Sequence, residues 1–218
     1  MFGTWKLKDF DPGDGIAQKA FEGFLASDDS WIDVAVPGDV HTALLAAGRI
    51  ADPYNNLQEL DCAWVEQREW WYQTIFNGPK ALTTDERLTL IFQGLDTFAT
   101  IWLNGQELGR TANMLREYAF DVSLRVLPAQ DNTLVVCFHQ PLKAVEGKAL
   151  PNGGNVNLTA EPTKTLMRKA QFGYGWDWGP RLPTIGIWRP IELRRERVAS
   201  IRSVHFVTES IAADVAQV

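Results

Sequence analysis

Within residues 168–188, RKAQFGYGWDWGPRLPTIGIW, Tyr174, Trp176 and Trp178 surround one acid, Asp177, and Arg181 follows Gly179 and Pro180. Indole and phenol faces pack on the C–H faces of sugar rings, and a carboxylate accepts hydrogen bonds from paired hydroxyls, so the chemistry available here is sugar recognition. The same residues have a structural reading, in which the tryptophans close the end of a β-sandwich and Asp177 caps a turn, because buried Trp is ordinary core material. Arg181 and Arg168 are candidates for orienting Asp177, since a buried carboxylate without a cation or several donors tends to take up a proton. The alternative for Arg181 is a pairing with another acid at a domain boundary. Arg116 is a further candidate for such a supporting part, and Asn113 reads as a loop stabiliser. Alternation along an extended loop sends one of Trp176 and Trp178 toward a ligand and the other into the sandwich.

Other chemistries find less support. The formal charge of −6, with Lys and Arg scattered along the 218 residues, argues against a phosphate-backbone partner. No apolar run approaches 18 residues, and the opening MFGTWKLKDFDPGDG lacks the apolar segment of a secretory signal, so no membrane partner and a cytoplasmic address are expected. Cys62 and Cys137 are read as two buried free thiols. No Cys or His is read at ligand spacing from either, so neither a metal site nor a cofactor is expected. Asn157-Leu158-Thr159 fits the glycosylation pattern, which has meaning only in a secreted eukaryotic protein.

The elements that must position these residues are mostly strands. Trp5 to Phe10, Ala17 to Leu25 and Trp31 to Val36 read as the first three. A short helix then follows Asp39, which can cap it, with Val40, Ala43, Leu44 and Ala47 at helical spacing and Gly48 as the stop. Asp52 to Asn56 is a loop. From Arg68 the period changes to two: Trp70, Tyr72, Thr74 and Phe76 alternate with Trp71, Gln73 and Ile75, and Leu88, Leu90 and Phe92 repeat the pattern. Thr97 to Leu103 turns through Asn104-Gly105 into Gln106 to Arg110, a strong hairpin signal because Asn-Gly suits two positive φ angles.

Tyr118 to Val122, Thr133 to His139 and Arg189 to Arg197 complete the set. Between Pro141 and Asn157 the pattern is lost, most of all at Pro151 to Asn155. Many short strands with one short helix predict an all-β fold, a jelly-roll β-sandwich over residues 1–197. Ile201 to Thr208 reads as a further strand without downstream partners, so residues 198–218 are expected to be a linker and the opening of a second, truncated immunoglobulin-like domain.

With these residues in place, the chain resembles the N-terminal sugar-binding, galactose-binding-like domain of glycoside hydrolase family 2 β-mannosidases. The resemblance rests on Val36-Pro37-Gly38-Asp39-Val40-His41, Ile50 to Tyr54, Gly94 to Thr97 with Leu103-Asn104-Gly105, Asn113 to Arg116, and the heptad Gly175 to Arg181, in that order. It implies that an immunoglobulin-like domain and a (β/α)8 barrel belong to the same polypeptide and that the barrel carries both catalytic glutamates. This chain then holds no catalytic residue. Glu59, Asp61, Glu66 and Glu69 show no arrangement recognisable as the pair of carboxyls, about 5–5.5 Å apart, that a retaining glycosidase uses, and Glu66 and Glu69 are expected to face solvent. Asp177, with Trp176 and Trp178, would bind a terminal β-mannoside at the barrel mouth. A free-standing carbohydrate-binding module, or the same domain of an exo-β-glucosaminidase or β-galactosidase, is the alternative. Exposure of surfaces meant for later domains would favour a dimer.

Overall fold

A computed structural model describes residues 2–23, 30–150, 161–197, 199, 201 and 203–217. The end of the strand expected at Ala17 to Leu25, the segment Pro151 to Asn155, the Asn157 triplet and the domain boundary at Val198 lie outside the described residues.

In chain order the strands are β1 (Trp5–Phe10), β2 (Ile32–Val34), β3 (Glu69–Asn77), β4 (Glu86–Phe92), β5 (Phe98–Leu103), β6 (Gln106–Ala112), β7 (Tyr118–Asp121), β8 (Asp131–Phe138), β9 (Tyr174–Trp176), β10 (Gly179–Arg181), β11 (Ile191–Arg197), β12 (Ser210–Ala212) and β13 (Val215–Gln217). A six-stranded antiparallel sheet, β2-β1-β3-β8-β5-β6, faces a three-stranded one, β11-β4-β7. The fold is the all-β jelly-roll sandwich that the strand pattern predicts.

Alternation builds the core. Leu7, Trp70, Tyr72, Ile101, Leu134, Val136 and Phe138 from the large sheet meet Leu88, Leu90 and Phe92 from the small one. Fully burying a side chain of the Leu or Phe kind contributes about 1.5–3 kcal/mol, so this face sets the register of both sheets. The opposite face of β3 and β8 is also buried: Trp71 stacks on Trp102 with centroids 5.3 Å apart, and Cys137 and Val135 join them.

That second layer explains a departure from the sequence reading. Residues 17–22 form no strand. They run through a one-turn helix α1 (Asp14–Ala17) into a 3-10 turn (Ala20–Glu22) laid across the large sheet. Gln73 donates to the Ala20 carbonyl at 2.8 Å, and Phe21 stacks on Trp102. This segment thus covers an outer sheet face instead of pairing at an edge.

Helix α2 (Val40–Ala46) forms where the spacing predicts it, with Asp39 accepting from the Thr42 amide at 3.2 Å. One further turn of helix, α3 (Gln58–Asp61), follows it. The β5–β6 hairpin turns at Asn104 and Gly105, both with positive φ. Ile201 to Thr208 is a second departure: its described residues are exposed and outside any strand, and the pairing beyond it is the small hairpin β12–β13. The described residues of 201–208 are exposed, so no packing stabilises them as a strand.

Candidate functional site

The focal segment is a hairpin. β9 and β10 pair Trp176 with Gly179 and Tyr174 with Arg181, leaving Asp177 and Trp178 as its two-residue turn. Gly175 takes a φ of 95°, a left-handed conformation that suits glycine. Trp176 and Trp178 are 55% and 84% exposed, with ring centroids 5.8 Å apart and planes at 72°. Both line one hollow, so the expected division, one ring outward and one into the sandwich, does not hold; a tight turn swings both indoles to the same side.

This hollow has a volume of about 680 Å³ and is walled by the two tryptophans, Phe172, Tyr54, and the helix residues His41 and Leu45. Asp39 and Thr184 add polar groups. Asp177 lies at the exposed tip between the two indoles and outside the lining, and it makes no hydrogen bond or ion pair among the described residues. It is neither buried nor engaged by backbone amides.

The arginines expected to hold Asp177 go elsewhere. Arg181 pairs with Glu66, lies 3.9 Å from Glu161, and stacks over the Tyr174 ring at 5.6 Å. On the antiparallel hairpin Arg181 opposite Tyr174 points back toward the body of the domain, while Asp177 is at the tip. Arg168 contributes its backbone, a bridge to Asn113 and a carbonyl accepting from Met114 at 2.9 Å, and its side chain is exposed. Arg116 lies over Tyr118 at 4.8 Å. Glu66, expected in solvent, is nearly buried beneath Arg181. Glu69 is buried as well, 3.0 Å from the His139 ring.

What holds the hairpin is a clamp at both of its ends. Lys169, just before it, reaches both oxygens of Asp96 at 2.6 and 2.7 Å. Thr184, just after it, donates to Asp96 at 2.7 Å. Asp96 and Gly186 exchange backbone hydrogen bonds of 2.9 and 3.1 Å, the Gly38 amide donates to Ile187, and Val40 donates to Ile185. A Cβ on Gly186 would stand 2.7 Å from the Gly38 carbonyl, so glycine permits this approach. Burial pushes the Lys169 ammonium below its ordinary value, against the pull of Asp96. Sequence reasoning used Asp96 only as part of a motif and missed Lys169, whose one legible signal is a lone cation in a segment otherwise bound for the sandwich.

Neither cysteine is in a disulfide, and both are buried, as the sequence reading expects. Contrary to the expectation that no His stands at ligand spacing, His139 lies two residues beyond Cys137, and the large sheet brings both together with Glu69.

The jelly roll, with its aromatic hairpin over an apolar hollow, is a β-sandwich of the galactose-binding-like kind. The chain belongs to the glycosyl hydrolase 2 galactose-binding domain-like family, whose profile matches residues 16–189. It is 39% identical over 170 residues to beta-mannosidase B of Aspergillus terreus, covering 77% of this chain and 20% of that protein. Against beta-mannosidase A of Emericella nidulans the identity is 37% over 174 residues, 74% of this chain and 18% of that protein. The crystal structure of beta-D-mannosidase from Dictyoglomus thermophilum matches with a TM-score of 0.80 and 31% identity, over 97% of this chain and 24% of that one. The chain spans about a fifth of the length of the curated relatives it matches.

Proposed function

We propose that this domain serves a retaining exo-acting β-mannosidase as a non-catalytic wall of the substrate pocket, with Asp177, Trp176 and Trp178 contacting the terminal β-mannoside. The observation that carries the reading is the hairpin turn on which an unpartnered carboxylate stands between two exposed indoles. An ionised carboxylate at such a tip can accept from two vicinal hydroxyls, and the indole faces supply apolar contact to the ring. Similarity to β-mannosidases over most of the chain favours mannose as the sugar. The bond-breaking carboxylates then belong to a (β/α)8 domain elsewhere in the polypeptide, and residues beyond 197 open the intervening domain.

In the full-length protein, Asp177→Ala should lower kcat/KM on an aryl β-mannoside about 5- to 150-fold, an expected loss of about 1–3 kcal/mol for unpaired substrate hydroxyls. An unchanged kcat/KM would make the domain a purely structural support. The open hollow favours a second reading, a free-standing sugar-binding module. Titration of residues 1–218 with mannose and manno-oligosaccharides separates the two: flat isotherms support a wall that needs the rest of its pocket, since one wall buries too little of a sugar to offset the cost of association.

A further inference from the structure

On the face of the large sheet turned away from the main core, strand register assembles a mixed donor set that the sugar site does not use. Trp71 on β3 and Thr100 on β5 both pair with Cys137 on β8. Because side chains alternate with period two, Glu69 and His139, each two residues from one of these partners, fall on the same face. His139 Nδ1 lies 3.0 Å from Glu69 Oε1 and 3.9 Å from Cys137 Sγ, and the three ligand atoms lie within 4.8 Å of one another.

From this geometry we propose that Glu69, Cys137 and His139 form a binding site for one divalent transition-metal ion of the zinc type, independent of the sugar-site reading. One thiolate, one imidazole and one carboxylate are the donors that such an ion takes, whereas calcium and magnesium need several oxygens. Bonds of about 2.0–2.3 Å in a tetrahedron set ligand atoms about 3.3–3.7 Å apart, so the Glu69 side chain need move only by about an ångström.

Its outer contacts suit the part. The Gly13 amide donates to Glu69 Oε2 at 3.2 Å, leaving Oε1 turned to the histidine. Nε2 of His139 lies 2.8 Å from Thr100 Oγ1. A hydroxyl donates or accepts, so Thr100 can receive the Nε2 proton in the tautomer that frees Nδ1 for a metal, the arrangement that orients ligating histidines generally. Glu69, Thr100 and His139 border a cavity of about 390 Å³, which offers an entry path and a fourth position for water. The cations on that cavity are already paired, Arg110 with Glu107 at 3.0 Å and Lys143 with Glu146 at 2.6 Å. On binding, Cys137 loses its thiol proton to solvent as the sulfur–metal bond forms.

Cobalt(II) titration of the purified, chelator-treated protein tests the proposal. One equivalent per chain should produce tetrahedral d–d bands and a thiolate-to-cobalt charge-transfer band, both abolished by zinc. Cys137→Ser should remove the charge-transfer band, and the Cys62→Ser protein, lacking the other buried thiol, should keep it. His139→Ala should weaken binding by about 10-fold or more. Glu69→Gln, a milder change, should weaken binding while retaining the charge-transfer band, which covers the case in which Cys137→Ser does not fold. Absence of a charge-transfer band in the unaltered protein, or its persistence in Cys137→Ser, would overturn the site and leave a polar cluster that closes the sheet face.

Discussion

Lys169 Nζ sits 2.6 Å from one oxygen of Asp96, with the two side chains only 1% and 2% exposed. This ion pair joins the base of the aromatic hairpin to the loop between β4 and β5, residues that are 73 apart in sequence. Thr97 also donates to Asp96, and Lys169 to the Thr184 carbonyl, so every member has several partners.

Breaking the pair leaves a charge buried without its counter-ion. Asp96→Asn should therefore destabilise the domain by about 3–5 kcal/mol. Urea unfolding measures this. A midpoint close to that of the unaltered protein would mean that Lys169 is solvated or otherwise compensated. Adding Lys169→Met should restore part of the loss, because the orphaned charge is then removed.

The Arg181 contact with Glu66 is more solvent-accessible, with side chains 37% and 12% exposed, so screening reduces its contribution. Glu66→Gln is expected to cost about 1 kcal/mol while raising amide exchange over residues 174–181. Exchange rates that stay as they were would show that the ends of the hairpin alone hold it.

Helix α2 is only seven residues long and depends on its first turn. Asp39 accepts from the Thr42 amide at 3.2 Å and from its hydroxyl at 2.6 Å. Asp39→Ala should lower stability by about 1 kcal/mol, which for a domain of this size lowers Tm by about 2–4 °C. Asp39→Asn should retain most of the stability, since an amide oxygen caps nearly as well. Equal losses in the two variants would point to the charge and not the cap.

His41 is buried in α2, 3.8 Å from Asp39, and its Nδ1 has no hydrogen-bond partner among the described residues. Burial pushes its pKa below the ordinary 6.5, with Asp39 raising it and Lys169 lowering it. The unfolded chain therefore takes up this proton first as pH falls, so stability should decline on acidification below 6.5 and level off beneath the folded pKa. His41→Gln should flatten that slope below pH 6.5, as read from urea midpoints. An unchanged slope would assign the effect to other groups.

Much of the scaffold is legible in residue order because its signals are local. Period-two alternation marks β3, β4, β8 and β11, Asn104-Gly105 marks a turn, and Asp39 with Gly48 brackets a helix. The same local reading misleads at residues 17–22 and in the described part of 201–208, expected as strands and found in none. Strands need a partner, and partner availability is a property of the whole chain.

The sequence by itself determined the all-β class, the main hairpin, the short helix and the aromatic turn with its one carboxylate, because each depends on neighbours in the chain. Tertiary structure alone decided which charges meet. Arg181 and Glu66 are 115 residues apart and Glu69 and His139 are 70 apart, and both pairings follow from how distant segments are set side by side. A guanidinium or imidazole takes whichever acid packing brings within about 3 Å, and no spacing along the chain encodes that distance.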